Sequence, residues 1–341
     1  MTKTAENLQR VGFLAVIPGL LHELGSESAP VLAAAGLESN ALDDPEGIIP
    51  YAAMGRLLRI AAEQTQTPHF GLLVGQRIGP ASLGLIGKLM VNAKSVGAAI
   101  EDLAVHQHRH ARGAVIYLLP RADQVLFGYA VYQPEVEGSV QIYDGAAAAA
   151  FNILRGLVPA HDASLIELQI SHTAPADVRP YQRYFGTRVR FDTEHTGAFF
   201  PRSWLAQPVA GADPAHRKLL EEQVQRFLVA GEFDLVSRSR RAMRLGLITG
   251  GITGDELAAR LGIARRTLHR HFKAQGTSFQ DILDETRFEL AKQLLANTRL
   301  PMSEIGFILR YSEQAIFTRA FSRWAGETPL SWRAKAKTPP G

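Results

Sequence analysis

The chain has 341 residues, 46% hydrophobic and 21% charged, with a formal net charge of +4, enough for two or three domains with cores of their own. It has no cysteine, which excludes disulfides, cysteine-ligated zinc and thiol-based repair chemistry. No run approaches the roughly 20 apolar residues that span a bilayer, so a soluble, cytoplasmic protein is expected.

The first apolar run, GFLAVIPGLL from Gly12 to Leu21, has the length of a signal-peptide core. It is broken by Pro18, continues into the amphipathic LHELG and lacks a clean cationic start, so it is read as the beginning of a helix. Gly25, Pro45, Pro50, Pro68 and Pro80 punctuate the front of the chain, and helices are predicted at about 11–24, 28–36, 50–66, 69–77, 82–91 and 95–110. The last ends in VHQHRHARG, which puts His106 and His110 on one helical face, as metal ligands can be. The alternative is a cationic helix terminus before Gly113 that complements the helix dipole. No carboxylate is arranged beside these histidines as a base, and no metal site is expected.

AVIYLLP at 114–120 and QVLFGYAVYQ at 124–133, separated by a polar turn, read as a β-hairpin. Alternate strand positions face opposite sides. Of Tyr117, Phe127, Tyr129 and Tyr132, some therefore pack in the core and some are candidates to line a ligand cavity. A helix at about 139–157, a strand at 164–171 (SLIELQIS), and short strands at RVRF and AFF around a turn near Phe185 and Gly186 complete an α+β domain. His161, His172 and His195 fall at strand edges and loops, where pocket and surface roles are equally open. With no G-x-S-x-G, Walker loop or H-E-x-x-H, neither catalytic residues nor a cofactor is expected.

PVAGADP at 208–214 leads into a helix at 216–231, with Leu219, Leu220, Val224, Phe227 and Leu228 assigned to one face. That face either packs on the front domain or forms a dimer contact. The boundary is placed near Gly231, giving an effector-type domain at 1–231 and an all-α domain at 232–341. The latter opens with a helix from about Phe233 to Leu247 that carries Arg238, Arg240, Arg241 and Arg244.

This tail contains one device twice, at about 253–276 and 302–326: a short helix, a tight turn and a second helix. In the first copy Leu257 and Leu261 form one apolar stripe, Leu268 and Phe272 the other. In the second copy the pairs are Ile305 with Leu309 and Phe317 with Phe321. Ala258 and Gly306 occupy matching places where crossing helices must approach closely, and Gly262 supplies the first turn. Opposite Leu268 and Phe272, Arg266, Arg270 and Lys273 recur at i, i+4 and i+7, flanked by Arg265 and His269. Such a face suits the DNA major groove, where Arg bonds guanine and other cations hold phosphates; a solvated basic surface is the blander account. Between the copies, Leu283, Leu290, Ala291, Leu294 and Leu295 mark one long linker helix. Pro301 and Ser303 open the second unit, with Ser303 as its expected N-terminal cap. Two units joined rigidly could enter successive major grooves roughly 34 Å apart.

From Ser237 onward there are eighteen Lys and Arg against nine Asp and Glu, a net of +9; the preceding residues, nineteen against twenty-four, carry −5. A basic tail on a mildly acidic front fits a polyanion partner for the tail alone. A membrane surface is disfavoured, because the cations lie on compact units instead of one interfacial helix.

Ile263 to Lys273, Arg287 to Leu295 and Ser312 to Trp332 resemble the DNA-binding domain of the AraC/XylS transcription regulators. The most specific parts are RTLHRHFKAQGTSF, RFELAKQLL and SEQAIFTRAFSRWAGETPLSWR, whose Gly326, Thr328, Pro329, Trp332 and Arg333 complete the family's end signature. The resemblance implies that Arg265, Arg266, Thr267, His269, Arg270 and Lys273 face DNA from the first unit. From the second it implies Ser312, Glu313, Gln314, Thr318, Arg319 and Arg323. One position departs: Arg310 stands where the family usually has Gly. There it must adopt a positive φ, at about 1 kcal/mol, or open the turn differently; contact with a phosphate is a further reading.

The front half resembles the effector domain of a subset of these regulators, the group that includes regulators of ornithine use and of virulence or quorum-linked genes. The likeness rests on APVLAAAGL, HFGLLVGQRI, the hairpin and YQRYFGTRVRFDTEHTGAFFPRSWLAQPVAGAD. It implies a ligand-responsive, sequence-specific regulator that binds double-stranded DNA and a small-molecule effector, forms a homodimer and works with RNA polymerase. Two alternatives stay open: a constitutive architectural DNA binder, and a DNA-tethered enzyme, which would need a convergent polar cluster in the front pocket.

Overall fold

The structure, a computed structural model, describes residues 8–106, 113–131, 136–229, 235–249, 252–298 and 300–336. Contacts divide the chain into Met1–Val224 and Gln225–Gly341. His110, Tyr132 and Gly231 lie outside the described residues, as do the side chains of His106, His161, Val224, Phe227, Leu228, Arg238 and Arg241.

The front unit begins with β1 (Leu8–Arg10), a 3-10 turn over Gly12–Val16, α1 (Ile17–Glu23) and α2 (Ser28–Ala34). The apolar run that mimics a leader is core: Leu14, Ile17, Leu20 and Leu21 are all buried, at the three-to-four spacing that puts them on one helical face. β2 (Ile48–Pro50) pairs antiparallel with β1, and then come α3 (Tyr51–Gln64), α4 (Phe70–Gln76), α5 (Gly84–Val91) and α6 (Val96–His106).

Next are β3 (Ala114–Pro120), β4 (Gln124–Val131), α7 (Ser139–Leu157), β5 (Glu167–Gln169), α8 (Arg179–Phe185), β6 (Val189–Arg190) and β7 (Thr196–Pro201). The sheet order is β3-β4-β7-β5-β6, antiparallel except for β5 with β6. The strand expected over 164–171 is shorter: Ala160–Leu165 winds into a 3-10 helix. Only Glu167–Gln169 finds partner strands to either side, and unpaired backbone has no ladder to hold it extended. The turn expected near Phe185 and Gly186 is the end of α8, which has Pro at its start and Gly186 left-handed at its end, the usual asymmetry of a short helix.

α7 is the spine of this unit. A side-chain Cβ at Gly71 of α4 would lie 2.0 Å from the Gln141 carbonyl oxygen, and one at Gly75 would lie 2.5 Å from that of Gly145; only hydrogen lets these helices approach so closely. α7 also completes both ends of α4. Gln141 Oε1 accepts the Gly71 N–H at 2.6 Å, and Asn152 Nδ2 donates to the carbonyls of Gly75, Gln76 and Ile78 at 3.2, 3.1 and 2.8 Å. The first donors and last acceptors of a helix have no partner within it.

α9 (Pro214–Val229) is fastened to the front unit by Arg217, whose guanidinium donates to Asp102 at 2.7 and 3.1 Å and to the Leu89 carbonyl at 3.2 Å. The single apolar face expected here is corrected at its start. Leu220 is buried but Leu219 is 57% exposed, since neighbours in a helix point about 100° apart.

All regular secondary structure among the tail unit's described residues is helical: α10 (Leu235–Thr249), α11 (Gly254–Leu261), α12 (Arg265–Ala274), α13 (Phe279–Asn297), α14 (Met302–Ile308), α15 (Gln314–Ala325) and α16 (Pro329–Ala336). One core joins Met243 and Leu247 of α10 to Leu257, Leu261, Leu268, Phe272 and Ile282. Towards the C-terminus Leu290, Leu294, Ile305, Leu309, Phe317 and Phe321 are buried, with Phe321 edge-on to Phe288 and Trp332. The linker helix α13 serves both halves. No helix among the described residues is long and apolar enough to cross a membrane.

Candidate nucleic-acid interface and ligand cavity

The first helix-turn-helix starts from a reciprocal cap. Thr253 Oγ1 accepts the Glu256 N–H at 3.2 Å, and the Glu256 carboxylate accepts the Thr253 N–H at 2.7 Å, satisfying two orphan donors of α11. That backbone bond holds the Glu256 carboxyl below its ordinary pKa. Gly262 ends α11 at φ +70°. α12 then turns Leu268 and Phe272 inward, both buried, and its other faces outward: Arg265, Arg266, Thr267, His269, Arg270 and Lys273 are all exposed. Arg265 reaches Asp255 at 2.6 Å, an ion pair in which both side chains are about two-thirds exposed, so it is worth little in stability.

In the second unit Pro301, not Ser303, occupies the N-cap position, and no side chain caps α14. Pro301 has an extended backbone, φ −57° and ψ 152°, and the helix begins at Met302, one residue before the serine. Gly306 permits the crossing: a Cβ there would lie 3.3 Å from that of Phe317 on α15. Arg310 takes the left-handed alternative at φ +62°, and its Nε donates to the Leu247 carbonyl of α10 at 2.6 Å. The guanidinium is thus directed at the protein, beside the Phe307 ring, and burial lowers its pKa. Ser312, Glu313, Gln314, Arg319 and Arg323 are exposed and Thr318 half-buried. Glu313 is the residue before α15 rather than within it.

The front unit contains a cavity of about 120 Å³, partly open to solvent, between α7, α4 and the hairpin. Phe127 and Tyr129 line it, together with Phe13, Met54, Ile116 and one side of α7. Tyr117 does not: it faces the other side of the sheet, across from Gly128, its hydroxyl 3.3 Å from His195 Nδ1. Strand alternation thus sorts the hairpin aromatics, but Phe13 and the small-residue side of α7 lie far away in sequence and carry no local signal.

Beside the cavity, α7 holds a buried polar cluster. Asp144 is fully buried; its Oδ2 accepts the Tyr181 hydroxyl at 2.7 Å and its Oδ1 lies 2.9 Å from His172 Nε2. His172 Nδ1 lies 2.9 Å from the Thr173 carbonyl. Two acceptors for the two ring nitrogens describe a cationic imidazole that donates both ways. Burial opposes that charge, but the Asp144 carboxylate outweighs burial and raises the His172 pKa above 6.5. The sequence left His172 open between pocket and surface; it is neither.

Two family models match the chain: the arabinose-binding domain of AraC transcription regulator, N-terminal, over residues 25–209, and a helix-turn-helix domain over residues 257–335. Among known proteins, the chain is 29% identical to the ornithine utilization regulator of Pseudomonas aeruginosa over 97% of both chains. It is 26% identical to the HTH-type transcriptional regulator VirS of Mycobacterium tuberculosis, covering 92% of this chain and 93% of that one. The crystal structure of the transcriptional regulator CdpR from Pseudomonas aeruginosa is 24% identical, covering 77% of this chain and 86% of that one, with a TM-score of 0.40.

Proposed function

Since the chain belongs to the AraC family of transcription regulators, we propose that its two helix-turn-helix units read one operator and that a small molecule in the front cavity governs that reading. The observation that carries this is the pair of outward faces in a single tail unit. α12 presents Arg266, Arg270 and Lys273 opposite the buried Leu268 and Phe272, and α15 presents Arg319 and Arg323 opposite the buried Phe317 and Phe321, with Gln314 exposed at its first turn. Residues 232–341 form the DNA-binding part in this reading and residues 1–231 the effector and dimerisation part. A homodimer on paired half-sites, acting with RNA polymerase, completes it. Effector binding shifts DNA affinity only to the extent that ligand binds two states unequally.

The test is binding of the purified protein to its own upstream DNA against random DNA across salt. A marked preference, with affinity falling about 10³-fold or more from 50 to 200 mM salt for six or more phosphate contacts, supports specific regulation. Equal affinity for both DNAs, with and without added metabolites, would instead favour an architectural binder.

A further inference from the structure

We infer that the ligand of the front cavity is uncharged and largely hydrocarbon, about the size of a small aromatic ring or a short alkyl chain; this rests on the reading of that cavity as the effector site. Among the described residues no Asp, Glu, Lys, Arg or His lines it. Its walls are aromatic and aliphatic, contributed by Phe13, Met54, Leu58, Ile116 and Phe127. Its floor is α7, where Gly145, Ala146, Ala149 and Ala150 recur at i, i+1, i+4 and i+5 and leave room above the helix.

Each polar side chain at the margin makes at least one hydrogen bond within the protein. Gln141 uses both ends of its amide, accepting from Gly71 N–H at 2.6 Å and donating to the Pro68 carbonyl at 2.8 Å. Gln9 donates to the Arg10 carbonyl at 2.8 Å, and the Tyr129 hydroxyl lies 3.0 Å from that of Tyr51. Asp144, the carboxylate next to Gly145 on the same helix, has both oxygens bonded, to His172 and Tyr181. A carboxylate or ammonium entering this space would lose its hydration with no opposite charge among the described lining residues to meet it, which apolar interiors do not tolerate. By contrast, an apolar void of roughly 150 Å³ stays dry and takes benzene, and about 120 Å³ is available here.

The experiment is calorimetric titration of the full chain with three neutral probes, toluene, indole and 1-hexanol, and three charged ones, hexanoate, hexylammonium and L-ornithine. Each is repeated on Ala146→Leu and Ala149→Leu, two independent cavity-filling variants, so that one folded variant suffices; folding is checked by circular dichroism and DNA binding. The expected result is binding of at least one neutral probe, weakened about tenfold or more by filling the cavity, with the charged probes about a hundredfold or more weaker than 1-hexanol or without measurable heat. A charged probe that binds as tightly as its neutral counterpart and is lost in the filled variants would overturn the ligand class while leaving the cavity as the effector site. Neutral probes that bind the filled variants unchanged would overturn both. Failure of all three neutral probes to bind would overturn the ligand class.

Discussion

Replacing Tyr181 by Phe removes one oxygen from the buried cluster on α7 and little else. The ring keeps its edge-on contact with Phe191, 5.1 Å between centroids, while Asp144, with none of its surface exposed, loses the hydroxyl that donates to Oδ2 at 2.7 Å. Burial and the neighbouring carboxylate push the Tyr181 pKa well above that of ordinary tyrosine, so the native group is a donor throughout the accessible pH range. A hydrogen bond to a charged group contributes about 1.5–3 kcal/mol, and a buried acceptor left without its donor keeps its desolvation cost. Because His172 still holds Oδ1, the expected loss is about 2 kcal/mol, not the larger cost of an isolated buried charge. For a unit of this size that lowers Tm by about 4–8 °C. Urea denaturation and calorimetry at pH 6 measure it. A loss below about 0.5 kcal/mol would refute the reasoning, because Asp144 would then be satisfied without Tyr181.

Four further outcomes are expected. The raised pKa of His172 means its stabilising contribution is complete below pH 6.5 and disappears as pH climbs through the folded value. Stability of the native chain should fall over that interval, whereas His172→Gln should flatten the fall; parallel pH profiles would contradict the pairing with Asp144. At Arg310, with φ +62° and a bond to Leu247, Ala keeps the backbone strain and loses the bond, while Gly loses both. Arg310→Ala should therefore be less stable than Arg310→Gly by about 1 kcal/mol in denaturant, and equal stabilities would argue against strain. Thr253→Ala should cost about 1 kcal/mol through loss of the reciprocal cap, seen as earlier amide exchange in α11. Arg270→Ala should weaken operator binding more than Arg319→Ala, since α12 is the more basic of the two read-out helices; equal losses in a titration at fixed salt would count against that ranking.

Most front-unit helices are legible because proline and glycine punctuate them: Pro50 stands directly before α3 and Pro80 before the turn into α5. The tail is legible because its pattern occurs twice. What escapes the sequence is pairing at a distance. β1 and β2 are three residues each, too short for alternation to register, and exist because each supplies the other's ladder. β5 contracts because the residues before it, Ala160–Leu165, coil into a 3-10 helix although β7 runs on past the end of the pairing. Ser303 has the chemistry of a cap but stands one residue inside the helix that Pro301 opens. The front cavity is half visible, as aromatics on a hairpin. Its apolar character comes into view only where α7 brings its glycine and alanines against them, and where Gln141, polar in any composition count, has both amide ends occupied by α4 and by Pro68 in the loop that leads into it.

The bond from Arg310 to Leu247 also bears on how this chain can be recombined with others. By sequence the second helix-turn-helix looks like a cassette that begins at Pro301 and could be transplanted on its own. Moved that way, it would arrive with an arginine in a left-handed turn whose acceptor had stayed behind on α10. A hybrid that keeps this bond has to take α10 along, which places the splice upstream of Leu235.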